Sequence, residues 1–247
     1  MTSSKKMILK QLNSPVKCGK RTFIDKTASF IGNVEIGDGC YIGAYTIIGQ
    51  PSNYEIERAQ KKSKKITARS NKTTLGNNVL IQPNVIISGN VKIGNNICID
   101  PFTTIGGHTR IGDDTKIVYR SQIYENVKID SNCVIGGFLC DHSKVGNHVS
   151  MMGSLLHDYP DGWNDDDDLS DKSPVIEDSV IVGYNSLVIG KVRIRSCTYI
   201  AAGAIVDRDT PGNCIVKSVN NCINKDDWTG KLKDGKFFRD CGKNEKN

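Results

Sequence analysis

The 247-residue sequence lacks the features of a membrane protein, of a secreted protein and of a Cys-x-x-Cys protein. It has no apolar run that approaches the ~20 residues of a membrane-spanning helix, and the polar residues Met1–Lys6 do not resemble a signal peptide. It has nine cysteines but no Cys-x-x-Cys pair. This cysteine usage favours a reduced, intracellular protein over a disulfide framework. We therefore expect a cytoplasmic protein without a membrane partner.

A strong charge of one sign is also missing. The formal net charge is +6, and the basic residues are not interleaved with aromatic ones. Because nucleic-acid binding depends on a dense basic surface, we expect no nucleic-acid partner. The densest basic run lies between Arg58 and Lys72, and four aspartates follow one another at 165–168. Both runs are typical of solvated surface, although the basic run also suits capture of a phosphorylated ligand.

A six-residue repeat dominates what the sequence does contain. Its aliphatic positions form one unbroken series and two shorter blocks with the same spacing. The main series is Leu75, Ile81, Ile87, Ile93, Ile99, Ile105, Ile111, Ile117, Ile123, Ile129 and Ile135. The shorter blocks are Phe30, Ile36, Ile42 and Ile48, and then Ile176, Val182, Val188, Ile194, Ile200 and Val206. The residue four places after each aliphatic one is β-branched or small, as at Val79, Thr109 and Cys133.

A hexapeptide period of this kind predicts an all-β fold, a parallel β-helix. Three six-residue sides would close one coil, and successive coils would stack at about 4.8 Å, the spacing of paired strands. The aliphatic residues would then form vertical ladders in a narrow, densely packed interior. We predict about eight coils. An all-β sandwich is the alternative, but it gives no reason for a strict period of six.

The repeat breaks twice, which predicts two extruded loops. The first, at about 50–74, carries the basic run, and the second occupies about 154–174, after the phase slips beyond Ile135. We do not expect the stretch from Ser154 to Asn164 to form a side of a coil. The predicted β-helix domain covers 1–223, and 224–247 form a C-terminal cap or tail. Segments extruded from a solenoid often carry its binding site.

Three of the four histidines lie near the second break: His142, His148 and His157. The fourth, His108, lies in a regular coil, where we expect a solvent-facing corner. An imidazole ionises near neutral pH, so a histidine beside an extruded loop is a candidate general base.

The repeat as written, for example Ile42-Gly43 and Ile111-Gly112, resembles that of the left-handed hexapeptide-repeat acyltransferases. The resemblance covers about residues 23–223. It implies a left-handed winding and transfer of an acetyl group from acetyl-CoA, as co-substrate and without a metal. The acceptor would be an amino or hydroxyl group of a sugar, best a nucleotide-linked amino sugar. It also implies a homotrimer with active sites between subunits.

The order of motifs around the second break resembles the galactoside and maltose acetyltransferase group. His157-Asp158-Tyr159-Pro160 precedes an acidic segment, and Lys172-Ser173-Pro174-Val175 returns to the repeat. This resemblance places His157 at the catalytic base. It places Tyr184 and Ala202 where the backbone meets the pantetheine arm, and Arg208 near the coenzyme A phosphates.

Two departures leave alternatives open. The chain has Lys217-Ser218-Val219-Asn220-Asn221 where the family has Gly-Val-Pro-Ala-Lys-like residues, so Lys217 or Lys225 would supply the missing basic contact. Asp141-His142 resembles the histidine-bearing coil of bacterial sugar N-acetyltransferases, so His142 competes with His157 as the base. A corner glycine such as Gly153 would hold the oxyanion through its backbone N–H.

Two other classes of function remain possible. A zinc-dependent hydratase like the γ-class carbonic anhydrases would need three histidines around one metal. His142 and His148 are six residues apart, which predicts equivalent positions on successive sides of a coil. A non-catalytic trimeric scaffold is the second alternative.

Overall fold

A computed structural model describes residues 16–61, 71–158, 169 and 172–218 of the chain. Within these residues the chain winds around three sheets in which all neighbouring strands are parallel. We call the sheets faces A, B and C, in the order in which each turn of the chain visits them. The lines along which two faces meet are edges A–B, B–C and C–A.

Each face is a column of short strands. Face A comprises β1 (Lys17–Cys18), β4 (Asn33–Ile36), β7 (Lys72–Leu75), β10 (Lys92–Ile93), β13 (Arg110–Ile111), β16 (Lys128–Ile129), β19 (Lys144–Val145), β22 (Val175–Ile176) and β25 (Arg193–Ile194). Face B comprises β2 (Phe23–Ile24), β5 (Tyr41–Ile42), β8 (Leu80–Ile81), β11 (Cys98–Ile99), β14 (Lys116–Ile117), β17 (Val134–Ile135), β20 (Ser150–Met151), β23 (Ile181–Val182), β26 (Tyr199–Ile200) and β28 (Ile215–Val216). Face C comprises β3 (Ser29–Phe30), β6 (Ile47–Gln50), β9 (Ile86–Ser88), β12 (Thr104–Ile105), β15 (Gln122–Ile123), β18 (Phe138–Leu139), β21 (Ser154–Leu156), β24 (Leu187–Ile189) and β27 (Ile205–Val206).

The six-residue period follows from the two-residue strands. In β14, Lys116 points outward and is exposed, whereas Ile117 is completely buried. The register pairs Ile117 with Ile99 on one side and with Ile135 on the other, so the aliphatic residues stack directly over one another. The predicted ladders are confirmed. The fold is the predicted parallel β-helix, with the left-handed winding that its repeat implies, but with about ten turns instead of eight.

The small positions of the repeat lie inside the corners. Cys133 is buried there, and so are Thr109 and Ser121. Their hydroxyl groups donate to backbone carbonyls of the next coil, Thr109 to Tyr124 at 3.0 Å and Ser121 to Ile135 at 3.2 Å. A larger residue would not fit, and an unpaired hydroxyl would be costly at this depth.

The residue before each small position often has a positive φ. Eight of these residues are asparagines, as at Asn78 with φ of 56° and Asn126 with φ of 57°. Asparagine tolerates this left-handed conformation better than most residues with a side chain. The corners are therefore built from local chemistry that repeats with the coil.

The first excursion leaves face C after β6 and returns to face A at β7. It contains a helix, α1 (Asn53–Lys61), that the sequence interpretation described only as a loop. The Ser52 hydroxyl accepts from the Glu55 backbone N–H at 3.2 Å, and the Glu55 carboxylate accepts from the Ser52 N–H at 3.0 Å. This reciprocal pair is a capping box, and Ser-x-x-Glu was its signal in the sequence. Residues 62–70, with most of the basic run, lie outside the described residues.

Two short corners cause the phase slip after Ile135. The steps Ile135–Leu139 and Met151–Leu155, both from face B to face C, take four residues instead of six. Gly137 has a φ of 87° in the first of these corners, and a Cβ atom there would collide with the carbonyl oxygen of Gly153. Only glycine fits this corner, and the repeat continues beyond it with a shifted phase.

The prediction that the stretch from Ser154 leaves the coil was wrong for its first three residues. They form β21, which pairs with β18 and β24, and Leu155 is completely buried. The second excursion therefore begins at His157 and returns at β22. Residues 159–168 and 170–171 lie outside the described residues.

Both excursions leave face C and return to face A, so both emerge at edge C–A. The chain divides into two units, Met1–Lys217 and Ser218–Asn247. The predicted cap at 224–247 lies outside the described residues. No helix within the described ranges is long and apolar enough to span a membrane.

Candidate active site

His157 is partly buried at edge C–A, directly after β21. Its Nε2 atom lies 3.0 Å from the carbonyl oxygen of Asp141 and 3.1 Å from the Ser173 hydroxyl oxygen. Asp141 belongs to the preceding coil, and Ser173 precedes the return to face A. The ring is thus held between the end of one coil and the segment that resumes the next.

The partners of Ser173 indicate which nitrogen of His157 carries the proton. The Ser173 hydroxyl lies 2.6 Å from the Asp141 carbonyl oxygen and 2.8 Å from the Leu169 carbonyl oxygen. Carbonyl oxygens only accept, so the hydroxyl proton points to one of them. Nε2 of His157 then donates, either to the Asp141 carbonyl or to the Ser173 oxygen. This assignment places the proton on Nε2 and the basic lone pair on Nδ1.

Carboxyl groups continue the edge below His157. The Asp141 carboxylate accepts from the Glu125 backbone N–H at 2.7 Å. Burial raises the pKa of Glu125, and the negative charges of Asp141 and Glu55 raise it further, against the Ser52 hydroxyl and His108, which lower it. The cap of helix α1 and the carboxyl group of Glu125 therefore share one environment on edge C–A.

Cys140 lies beside this cluster but is not a nucleophile. Its side chain is buried, with Sγ 3.2 Å from the Ser143 hydroxyl oxygen. Burial raises the pKa of the thiol to about 11. The thiol stays protonated at neutral pH, and only a thiolate attacks efficiently.

The other three histidines occupy corners. His108 and His142 lie on edge C–A, and His148 lies on edge A–B, all with φ near 60°. His108 is exposed, as predicted. His142 follows Asp141, so it lies close to His157, but its ring makes no hydrogen bond within the part of the chain that the structure describes. His142 and His148 lie on different edges, as their spacing predicted.

The predicted coenzyme contacts divide between two edges. Tyr184 and Ala202 are exposed on successive corners of edge B–C, where the Gly203 N–H donates to the Tyr184 carbonyl at 2.9 Å. Lys217 follows β28 on the same edge and is exposed. Arg208 lies on edge C–A, where its Nε is 3.1 Å from the Asp207 carboxylate. Within one chain, His157 thus shares an edge with Arg208 but not with the other three.

Gly153, the predicted oxyanion donor, lies on edge B–C, at the opposite end of β21 from His157. It is buried, and a Cβ atom there would approach the Ser186 carbonyl oxygen to 2.6 Å. Its surroundings are packed coil, so it is not placed to serve His157 within one chain.

A groove of about 330 Å³ lies on face A, next to edge A–B. Lys128, Lys144 and Glu177 are among its lining residues. Lys128 is paired with Asp130 at 2.9 Å, and Lys144 is two residues from His142. The groove therefore lies across face A from edge C–A, where His157 is held. Lys72, from the basic run, is paired with Glu35 at 2.8 Å.

Sequence interpretation missed the role of Ser173 and the use of the Asp141 backbone. In the sequence both residues appear only within longer motifs. The sequence carries no signal for them, because a serine before a proline and an aspartate before a histidine have many other uses. The capping box around Ser52 was a signal that could have predicted helix α1.

Comparison with known proteins agrees with the repeat. A family model described as the bacterial transferase hexapeptide (six repeats) matches residues 15–50 and 72–107. The match is interrupted where the first excursion leaves the coil. Within these two segments the chain is similar to the hexapeptide repeat of bacterial transferases.

Curated relatives are longer than this chain. They include the bifunctional protein GlmU of Bacillus velezensis, 29% identical over 224 residues, and GlmU of Clostridium botulinum, 25% identical over 227 residues. These alignments cover 90% of this chain but only 42% and 46% of the two relatives. The chain therefore spans less than half the length of these relatives.

Solved structures with a similar course include a UDP-N-acetylglucosamine acyltransferase from Campylobacter jejuni. It is 16% identical, with 81% of this chain and 70% of that chain covered and a TM-score of 0.43. Another is a mutant of perosamine N-acetyltransferase from Caulobacter crescentus, in complex with CoA and GDP-perosamine. It is 18% identical, with 73% and 70% covered and a TM-score of 0.34.

Proposed function

We propose that this chain transfers an acyl group, acetyl in the simplest case, from acetyl-CoA to a sugar, with His157 as general base. The acceptor atom is an amine or hydroxyl of a sugar carried on a nucleotide, as the resemblance of the sequence implies. The single observation that carries the proposal is the His157 ring, whose Nε2 lies against the Asp141 carbonyl and the Ser173 hydroxyl. A partly buried imidazole held in one orientation in this way is suited to accept one proton from the acceptor.

The reaction needs few groups from the protein because a thioester is already activated. The acceptor nitrogen or oxygen attacks the thioester carbonyl carbon, and Nδ1 of His157 takes the proton that the acceptor loses. The carbon–sulfur bond then breaks, and the departing thiolate receives a proton to give coenzyme A. A positioned base of this kind contributes about 10²–10⁴-fold to a rate. Aligning the two reactants supplies much of the remaining acceleration.

The distribution of apolar side chains supports a homotrimer with face B at the subunit contact. Outward residues of face B include Phe23, Tyr41, Ile181, Tyr199 and Ile215, and each is more than a third exposed. Outward residues of face A are mostly charged. Exposed apolar groups gathered on one face are typical of a contact between proteins. In such a trimer the predicted coenzyme residues on edge B–C would border the contact with the next subunit.

The zinc hydratase remains the second candidate class, and the histidines argue against it. His148 lies on a different edge from His108 and His142, which themselves lie two coils apart on edge C–A. No group of three or more His, Cys, Asp or Glu side chains converges as metal ligands among residues 16–61, 71–158 and 172–218. A scaffold without activity is the third candidate, and it gives no role to the fixed imidazole.

The test is release of free thiol from acetyl-CoA by the purified chain. Amino sugars linked to UDP and GDP, with GDP-perosamine among them, are the first acceptors, and each reaction is compared with a sample that lacks the acceptor. We expect thiol release that depends on at least one acceptor and product of the mass of an acetylated sugar. Carbon dioxide hydration by a zinc-loaded sample, without thiol release, would favour the hydratase instead. A mass of one chain in light scattering would contradict the trimer.

A further inference from the structure

The two short corners leave a recess in edge B–C. A regular corner on this edge projects a two-residue turn beyond the strand ends, as at Tyr119–Arg120 and Tyr184–Asn185. The corners at Gly136–Gly137 and Met152–Gly153 lack this turn. They belong to successive coils, so the projecting turns are absent at two adjacent levels. The recess spans three strand spacings, about 14 Å, from the Tyr119 turn to the Tyr184 turn.

The floor of the recess consists of backbone. Gly137 is exposed, and no hydrogen bond from its N–H is found within the described residues, although its carbonyl accepts from the Gln122 N–H at 2.9 Å. Met152 lies over Gly136, where a Cβ atom would come within 2.7 Å of its sulfur. An unbranched thioether adapts its shape readily. The floor therefore offers one backbone donor beside an adaptable apolar surface.

One wall of the recess is an exposed aromatic cluster. Phe102 and Tyr119 meet edge to face, with ring centroids 5.8 Å apart, and each is 52% exposed. The Arg120 guanidinium lies over the Tyr119 ring, 5.7 Å from its centroid. The opposite wall begins at Tyr184, which is 68% exposed. An exposed aromatic ring at the wall of a cleft offers a face on which a planar group can stack.

Two residues at this wall are bulky at corner positions where the backbone has a positive φ. Phe102 and Arg120 have φ of 61° and 60°, at the corner position that asparagine most often occupies in this chain. A bulky side chain is disfavoured in this region, so these two residues cost stability where asparagine would not.

We propose that this recess binds a planar heterocyclic base on a phosphorylated ribose. The base would stack on Tyr119, the Gly137 N–H would donate to a ring nitrogen or carbonyl of the base, and Arg120 would contact the phosphate. The recess lies at the level of β18 and β21 on face C, and His157 follows β21 on the far edge of that face. The inference rests on the proposed acyl transfer only for its choice of ligands. Two ligands of that reaction carry such a group: the nucleotide of the acceptor and the nucleotide of coenzyme A.

The test is calorimetric titration of the full chain with UDP, GDP and adenosine 3′,5′-diphosphate, with ribose 5-phosphate as the probe that lacks a base. We expect at least one nucleotide to bind at least tenfold more tightly than ribose 5-phosphate. Tyr119→Ala should weaken that nucleotide by about tenfold or more and leave ribose 5-phosphate unchanged, since stacking on one aromatic ring has that size. Tyr119→Phe keeps the ring and should bind like the wild type.

The ligands distinguish the source of the base. Preference for UDP or GDP assigns the recess to the acceptor, and preference for adenosine 3′,5′-diphosphate assigns it to coenzyme A. Equal binding by the wild type and Tyr119→Ala would overturn the proposal. A change in the assembled mass of Tyr119→Ala would also overturn it, because the cluster would then belong to a subunit contact. Nucleotide binding without any thiol release would refute the proposed acyl transfer but would still support the recess as a nucleotide-binding site.

Discussion

Edge A–B and edge C–A arise from the same repeat, but only one of them is interrupted. Along edge A–B, side-chain oxygens accept hydrogen bonds from backbone N–H groups of the neighbouring coil. The Asp113 carboxylate accepts from the Asn95 N–H at 2.7 Å, and the Asp178 carboxylate accepts from the Asn147 N–H at 2.7 Å. Within the described residues, every step across this edge takes six residues. Edge C–A releases both excursions and collects His157, Ser173 and the carboxyl groups of Glu125 and Asp141.

The difference shows how a solenoid separates stability from chemistry. A ladder of repeated side-chain oxygens holds edge A–B without any contribution from distant segments. Edge C–A gains Ser173 and helix α1 from segments that leave the coil, so the positions of these groups do not follow the repeat. Substitutions on edge C–A should therefore change activity first, and substitutions on edge A–B should change stability first.

The largest expected effect is on turnover and comes from His157→Ala. Removing the base should reduce thiol release at least ~100-fold while the fold and assembled mass are retained. His142→Ala is the matched control on the same edge and should keep turnover within a fewfold of the wild type. A wild-type rate in His157→Ala together with a large loss in His142→Ala would transfer the role of base to His142.

Ser173→Ala should reduce kcat by about tenfold with little change in KM, because it releases one side of the His157 ring without removing the base. Ser173 is buried, so the melting temperature should fall as well. Ser173→Thr retains the hydroxyl and should recover most of the rate. Equal rates for alanine and wild type would show that the Asp141 carbonyl is enough to orient the ring.

Asp113→Ala tests edge A–B, where the expected effect is on stability alone. The change removes the acceptor of the Asn95 N–H and should lower stability by about 1–2 kcal/mol. This corresponds to a fall in melting temperature of about 3–6 °C. Asp113→Asn keeps an acceptor oxygen and should lose less than half as much. A loss of turnover per folded molecule in Asp113→Ala would break the separation between the two edges.

The smallest expected effect is the pH dependence that Glu125 contributes. Burial raises the pKa of Glu125 in the folded protein above its unfolded value. The stability that protonated Glu125 contributes is present below the unfolded pKa and is lost as pH rises through the folded pKa. Glu125→Gln removes that loss, so its melting temperature relative to wild type should rise by about 1–3 °C between about pH 4 and pH 7.5. A difference that stays constant with pH would mean that Glu125 ionises in the same way in both states.

Some of the site was predictable from the sequence and some was not. The six-residue period alone predicts that His108 lies at an exposed corner. It also predicts that His142 and His148 lie on different edges. Helix α1 was signalled by Ser52 and Glu55 but not interpreted. The strand at Ser154–Leu156 was not predicted because two four-residue steps shift the phase of the repeat before it. In the sequence, a repeat with a shifted phase cannot be told from one that has ended.

The sequence by itself determined the parallel coils, the identity of the buried ladders and the edges at which the corner residues lie, because each depends on contacts that recur with the repeat. Only the tertiary structure decided that both excursions emerge at one edge and that His157 is held by Asp141 and Ser173. Those contacts join residues 16 positions apart on either side of His157. They depend on which coil an excursion rejoins, and no local pattern of side chains encodes that choice.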